Sequence, residues 1–361
     1  PSTDLIDITT LGVTPGSSDQ QAAIQSAIKQ VAVGKTLSFP AGEYRHSGCI
    51  ELNKNVRLFS SAGAKLIGTD PMNMAIKIMA DDASVEGLTI IGMGTTRQSD
   101  DRERAGVAIL GTARNSVKNC TIERSSAAGI YNEGGSNFAI VGNTVRKTLS
   151  DAIHNTSSAH DGMVEGNTVI DSGDDSLAVV SYGGQDCHHI IVRNNTVTNS
   201  GARGASVVGG RDVTIEGNKI TTTRAGGIYV ASEPSYSTEG VSRVVIKNNT
   251  LVGVNIDAKV NHGAIFLWGG RAEKPVNDVI IDGNVIKDTI VGGAHIVIQG
   301  NNVHRTTLIN NATTGTKQHS YIEAASADWT MTGDTHNGAA VANHGTPTAP
   351  APGAVDFAAE F

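Results

Sequence analysis

One short pattern limits what this chain can fold into more than any other feature: an apolar residue, a turn residue, Asn, any residue, an apolar residue. It reads VKNCTI, VEGNTV, VRNNTV, IEGNKI, IKNNTL and IDGNVI, and it places asparagines at Asn119, Asn143, Asn167, Asn195, Asn218, Asn249, Asn284 and Asn311. The intervals are 24, 24, 28, 23, 31, 35 and 27 residues, a period that marks repeated supersecondary units. Within each unit apolar residues alternate, as in a strand with one buried face, and Gly, Asn and Ser punctuate the runs. No helix-length pattern lies between them. Parallel strands normally need helical crossovers, so strands returning at this period without helices predict a parallel β-helix, a solenoid in which each turn stacks on the last. Asn suits the repeated position because it tolerates left-handed turns and its amide can bond the equivalent amide one turn away, about 4.8 Å along the stack. The Asn-X-Thr triplets also match glycosylation acceptors; at this periodicity an inward ladder is expected instead.

Composition agrees with a thin coil. Glycine supplies 42 of 361 residues and aromatics only 4%, which suits many tight turns around small and β-branched residues. The formal charge is −7 and the basic residues are scattered, which argues against a nucleic-acid or anionic-membrane partner. No apolar run approaches the ~18 residues of a membrane span, and a chain opening at Pro1 is expected to be secreted or periplasmic. Cys49, Cys120 and Cys187 have neither the count nor the spacing of a disulfide or zinc framework and read as buried free thiols. Ser18 to Val33 reads as one amphipathic helix, with a Ser18–Gln21 capping box and Gly34 as its stop, placed to close the open end of the coil. Residues 1–345 are expected to form a single β-helix domain, and 346–361, with three prolines, a poorly packed tail. Oligomeric state is not legible.

The segment after the helix, LSFPAGEYRHSGCIEL, is a strand, a Pro-Ala-Gly turn and a strand. Helix and turn together resemble the entry segment of the pectate-lyase-like superfamily of right-handed parallel β-helices, an all-β fold.

Stacking converts spacing into columns. Aligning AAGIYN, SDAIHN, GDDSLA, ARGASV, AGGIYV and NHGAIF places Ala128, Asp151, Asp175, Arg203, Gly226 and His262 in one column, with Asp174 beside Asp175 and His154 three residues after Asp151. Carboxylates one turn apart, roughly 5 Å between Cα atoms, repel, so at least one pKa should rise. Glycoside hydrolysis uses such a pair: a protonated acid for the leaving oxygen and an ionised partner for water, about 6.5–9.5 Å away when configuration is inverted.

The order SDAIH, SGDDSLAV, SGARGASVVGG resembles the inverting polygalacturonase-type glycoside hydrolases, whose motifs run Asn-Thr-Asp, Gly-Asp-Asp, Gly-His-Gly, Arg-Ile-Lys on consecutive turns. The resemblance implies Asp174 as general acid and Asp151 with Asp175 as holders of the water. It departs at Arg203, where that family has His, and at Tyr229 and Ala231, where it has the Arg and Lys that hold a uronate. Arg203 can still grip an acidic sugar or set a carboxylate's pKa. His154, Tyr229 as a platform for a sugar face, and Trp268 complete the expected substrate-binding set, with a polysaccharide or oligosaccharide as partner.

Other readings stand beside these. No cofactor or metal is expected, with calcium at the same acids as the alternative and solvated turn acids as the plain reading. Glu233 and Glu273 are spare acids, and His160 and Asp161 lie in a turn just past the column. His188 and His189 open a strand and should point to opposite faces, against joint metal ligation. Thr95 to Arg104 interrupts the repeat as an exposed loop or groove wall. A lyase or C5-epimerase of a uronic-acid polymer would use His154, Tyr229 or Arg203 as base, but the Asp-Pro-His motif of alginate epimerases is absent. A non-enzymatic glycan-binding β-helix is the third reading.

Overall fold

Alternation becomes strands, and the strands pair in parallel with like residues stacked on like. The computed structural model describes residues 4–323 and 328–345 and is a right-handed parallel β-helix, all-β apart from an N-terminal helix and one 3-10 turn. Two compact units make up the chain, one of 4–155 with 165–173 and the other of 156–164, 174–323 and 328–345. In the first, Val107 lies opposite Ile76 and Ile130, Val117 opposite Val85 and Ile140, and Ile122 opposite Ile90 and Val145. In the second, Leu177, Ala205, Ile228, Ile265 and Ile296 form one inward column and Val213, Val244 and Val279 another. Each fully buried Val, Leu or Ile contributes roughly 1.5–3 kcal/mol, so the fold gains its core from repetition rather than from large aromatics.

The asparagine ladder forms in both units. Asn143 donates from Nδ2 and from its backbone N–H to Asn167 Oδ1, each at 2.9 Å. Asn195, Asn218, Asn249, Asn284 and Asn311 repeat the bond to the next turn, and Asp334 accepts the last. These side chains are 0–1% exposed, so they are not glycan acceptors. The expected ladder needs one correction: Asn119 is an exposed turn residue at φ 52°, and Cys120 fills its rung, donating its backbone N–H to Asn143 Oδ1 at 3.0 Å. Asn119 occupies the left-handed turn position that Gly142 and Gly166 hold in later turns at φ 67° and 63°, a conformation open to Asn and Gly alike.

The N-terminal helix is shorter than its sequence pattern, Gln21–Gln30 rather than 18–33. Ser18 does not cap it: Asp19 Oδ1 accepts from Gln21 N–H and Ser18 Oγ takes the Gln20 amide. Val31 turns extended, and Val33 is 66% exposed. Ile24, Ala27 and Ile28 are its buried residues. The polar face of the helix covers a sheet edge. Gln25 bonds both Glu51 O and Glu51 N–H at 2.9 Å, and Gln21 bonds Cys49 O. Side-chain amides thus satisfy the edge strand Ile50–Leu52 as a neighbouring strand would.

None of the three cysteines forms a disulfide; Cys120 and Cys187 are buried and Cys49 partly so. Burial pushes the Cys120 thiol up to about 12 and the Cys187 thiol up to about 11. No helix among the described residues is long and apolar enough to cross a membrane. The expected tail lies outside the described residues.

Candidate functional site

Asp151 belongs to the first unit and Asp174 and Asp175 to the second; each group has its own surroundings. In the first unit, Asp151 and His154 flank the start of the strand Ile153–Thr156, and both are 6% exposed. His154 Nδ1 lies 2.6 Å from Asp151 Oδ2, and the His154 ring stacks on Tyr131 at 5.5 Å. His154 is therefore an orienting partner of Asp151 rather than a side chain offered to solvent. The interruption at 95–104 is a loop, as read, and it folds back onto this group. Asp100 Oδ2 accepts from Ser150 Oγ at 2.8 Å, Arg97 reaches the same hydroxyl at 3.3 Å, and Arg102 pairs with Glu133. One ligand atom each from Asp100, Asp151 and His154 lies within 4.8 Å of the others. Sequence reasoning missed Asp100, because an irregular insertion has no register to place it.

In the second unit, the strands Leu177–Val180, Ala205–Val208 and Ile228–Ser232 are buried along their whole length. One face lines the core. On the other, Ala178, Val180, Val208, Tyr229, Ala231 and Phe266 form a further apolar cluster, with half-buried Trp268 against it. Period-two alternation normally leaves that face polar, so covered apolar side chains there mark a built surface.

Asp175 and Arg203 stand just ahead of the first two of these strands. Arg203 donates its backbone N–H to Asp175 Oδ1 at 2.9 Å, and its guanidinium lies 3.6 Å from that oxygen. The other guanidinium nitrogen is 3.5 Å from Glu233 Oε1, which also accepts the Tyr229 hydroxyl at 2.8 Å. The Arg203 guanidinium sits 4.5 Å over the Tyr229 ring. His262 and Phe266 stack against that ring at 5.2 and 5.5 Å. Asp174 is half-buried and accepts at its backbone carbonyl from Ser200 Oγ and Ala202 N–H.

Burial pushes the Asp175 carboxyl upward and Asp174 adds to the rise, while Arg203 opposes it. Burial likewise raises Glu233 against the pull of the Tyr229 hydroxyl and Arg203. Burial works against the Arg203 charge, but Asp175, Tyr229 and Glu233 outweigh it. His262 is held down to about 4 by burial and by Arg203. The centre is thus two hard-to-ionise acids around one firmly charged guanidinium.

Several expectations change. Tyr229 is 1% exposed with both ring faces covered, so it cannot be a sugar platform; it is a pillar under Arg203. His262 is one residue out of the expected column: Tyr229 pairs with Phe266, which sets His262 opposite Ala225 rather than Gly226. It still reaches the cluster by stacking. Glu233, held only as a spare acid, is in the centre because it follows the strand that carries Tyr229. Glu273 is exposed and pairs with Arg271 at 2.5 Å. Trp268 is half-buried.

A family profile described as rhamnogalacturonase A/epimerase, pectate lyase-like, matches residues 5–229, and one described as right-handed β-helix region matches 183–346. No curated protein matches the chain. Among solved structures, the catalytic unit of a thermostable GH87 α-1,3-glucanase from Streptomyces thermodiastaticus is similar at 21% identity and TM-score 0.72, over 98% of this chain and 72% of that one. PfbA, a surface adhesin of Streptococcus pneumoniae, is similar at 17% and 0.74, over 92% and 91%. An exopolygalacturonase from Thermotoga maritima is similar at 14% and 0.67, over 95% and 93%. At such identities these likenesses establish the fold. The family profile spans more than half of the sequence, and on that match the chain belongs to the rhamnogalacturonase A/epimerase, pectate-lyase-like family.

Proposed function

We propose that this protein is a polysaccharide-degrading enzyme, an inverting glycoside hydrolase of an extracellular glycan, with Asp174 and Asp175 as its acid pair. The observation that carries the reading is Asp175: a buried carboxyl with a raised pKa, pinned by Arg203 and adjacent to half-buried Asp174. Burial and the neighbouring Asp174 charge make the Asp175 carboxyl hard to ionise. Asp174, the more accessible member, is assigned as the acid that protonates the leaving glycosidic oxygen. The family description supports a pectic or other uronic-acid-containing glycan as the first class to try. Asp175 and Glu233 flank the Arg203 guanidinium, so Arg203 tunes the acids rather than gripping a uronate. Trp268 is the candidate sugar-stacking surface.

The test is digestion of a panel containing rhamnogalacturonan, polygalacturonate, alginate and α-1,3-glucan, following reducing ends and ultraviolet absorbance together. The proposal expects reducing ends without absorbance on at least one glycan, with the first product of inverted anomeric configuration by proton NMR. Absorbance from unsaturated uronates would identify a lyase, and epimerised polymer without cleavage an epimerase. Tight binding with no turnover would favour a glycan-binding protein.

A further inference from the structure

We propose that Asp161, His188 and His189 form a binding site for one divalent transition-metal ion of the zinc type, separate from the acid centre. A left-handed step that recurs along this sheet, at His189, Asp212, Arg243 and Asp278, makes the site possible. Successive residues of a regular strand point to opposite faces, which argues against joint ligation by the two histidines. His189, however, adopts φ 51°. Pairing runs from His188 opposite Arg211 to Ile190 opposite Val213, and the two left-handed residues His189 and Asp212 are passed over together, with no extra residue on either strand. This left-handed step brings the two rings together, with His188 Nδ1 2.7 Å from His189 Nδ1. Asp161 makes the same left-handed step, at φ 52°, on the strand His160–Glu165, and its Oδ1 lies 3.8 Å from His189 Nδ1.

One ligand atom from each of the three residues lies within 4.8 Å of the other two. Tetrahedral coordination with bonds of ~2.0–2.1 Å sets donor atoms roughly 3.4 Å apart, so small side-chain rotations close the set. Two imidazoles and one carboxylate suit zinc, nickel or copper; calcium would need six or more oxygens.

The surroundings suit a bound cation. His160 stacks on His188 at 4.7 Å and is anchored by its own Nδ1 to Ser158 O at 2.7 Å, which stiffens the wall of the site as outer-shell contacts do for metal ligands. Arg211 and Arg243, which would repel a cation, are both held by Asp212, at 3.1 Å and at 2.5 Å. The histidine nitrogens beside the Asp161 carboxylate stand at 3.8 and 3.9 Å, too far for the strong hydrogen bonds that would satisfy it.

The experiment is calorimetric titration of the full chain, stripped with EDTA, with zinc chloride at pH 7.5 and pH 5.5. We expect one high-affinity ion per chain at pH 7.5 and at least tenfold weaker binding at pH 5.5, because ligand imidazoles must be deprotonated. His188→Ala and, as a variant that keeps side-chain size and turn tolerance, Asp161→Asn should each weaken binding at least tenfold with an unchanged circular dichroism spectrum. Cobalt(II) should give the visible absorption of a tetrahedral site in the wild type and lose it in both variants. No binding at pH 7.5, or binding unaltered in both variants, would overturn the assignment, the second outcome placing the ion on other histidines.

Discussion

Two aspartate–arginine pairs in the same unit behave in opposite ways. Asp212 takes Arg243 through two short bonds, 2.5 Å from Nε and 2.7 Å from Nη2, and the pair holds its carboxyl below the usual range. Asp175 has Arg203 as its cation, with the guanidinium at 3.6 Å, yet burial raises its carboxyl. Exposed area does not separate them, since their side chains are 8% exposed for Asp175 and 10% for Asp212. Contact geometry and depth do. Arg243 answers one carboxylate in a bidentate clasp, whereas Arg203 is shared between Asp175 and Glu233 and is set by the ring of Tyr229. One pair is a closed structural clamp. The other is an underneutralised acid centre, the state a proton donor requires.

The contrast breaks most visibly on removal of each arginine. Arg203→Ala strands two buried acids and should cost on the order of 3 kcal/mol of stability and roughly a hundredfold or more in glycan cleavage. Arg243→Ala, at a pair with a 36% exposed arginine, should cost about 1 kcal/mol and leave cleavage unchanged. Urea unfolding and reducing-end assays on both variants check this; equal losses would dissolve the distinction.

A smaller effect sharpens it through pH. Asp175 has a raised folded pKa, so its favourable contribution is complete below the ordinary carboxylate value and is lost as pH rises through the folded one. Asp175→Asn, which mimics the protonated acid, should therefore stabilise the chain at pH 7 relative to wild type and do nothing near pH 3. Asp212 has a lowered pKa, and its contribution is present above the ordinary value and lost as pH falls through the folded one. Asp212→Asn should destabilise at pH 7, and that loss should vanish at low pH. Thermal melts of the two variants at both pH values should cross. The slightest expected change concerns His262, held near about 4. Its neutral ring favours the fold above about 6.5 and loses that advantage as pH falls toward about 4, so His262→Phe should flatten the melt curve across that window.

What the sequence reveals of this molecule depends on the kind of signal each feature leaves. The repeat leaves a periodic one, and it revealed the coil, the inward asparagines and the nearness of Asp175 to Arg203. Single-residue steps in that register left none. Cys120 rather than Asn119 fills a rung, because Asn suits both the turn and the ladder and the pattern cannot tell which duty it serves. His262 slipped by one because the loop before it lengthens the turn. The left-handed step at His189 reversed a side-chain direction that strict alternation would fix. Tyr229 read as a sugar platform because it stands where the resembling family holds a uronate; in the fold that position lies under Arg203 and against Phe266. Asp100 reaches Ser150 from an irregular loop, and contacts of that kind are written in tertiary structure alone.

One comparison of rates tests the acid centre most directly. Wild type and Asp174→Asn should be assayed for reducing-end release on whichever glycan of the panel is cleaved, with circular dichroism confirming that both are folded. Loss of the proton donor should slow cleavage by roughly a hundredfold to ten-thousandfold. Cleavage by the folded variant at close to the wild-type rate would contradict the role of Asp174 as the acid.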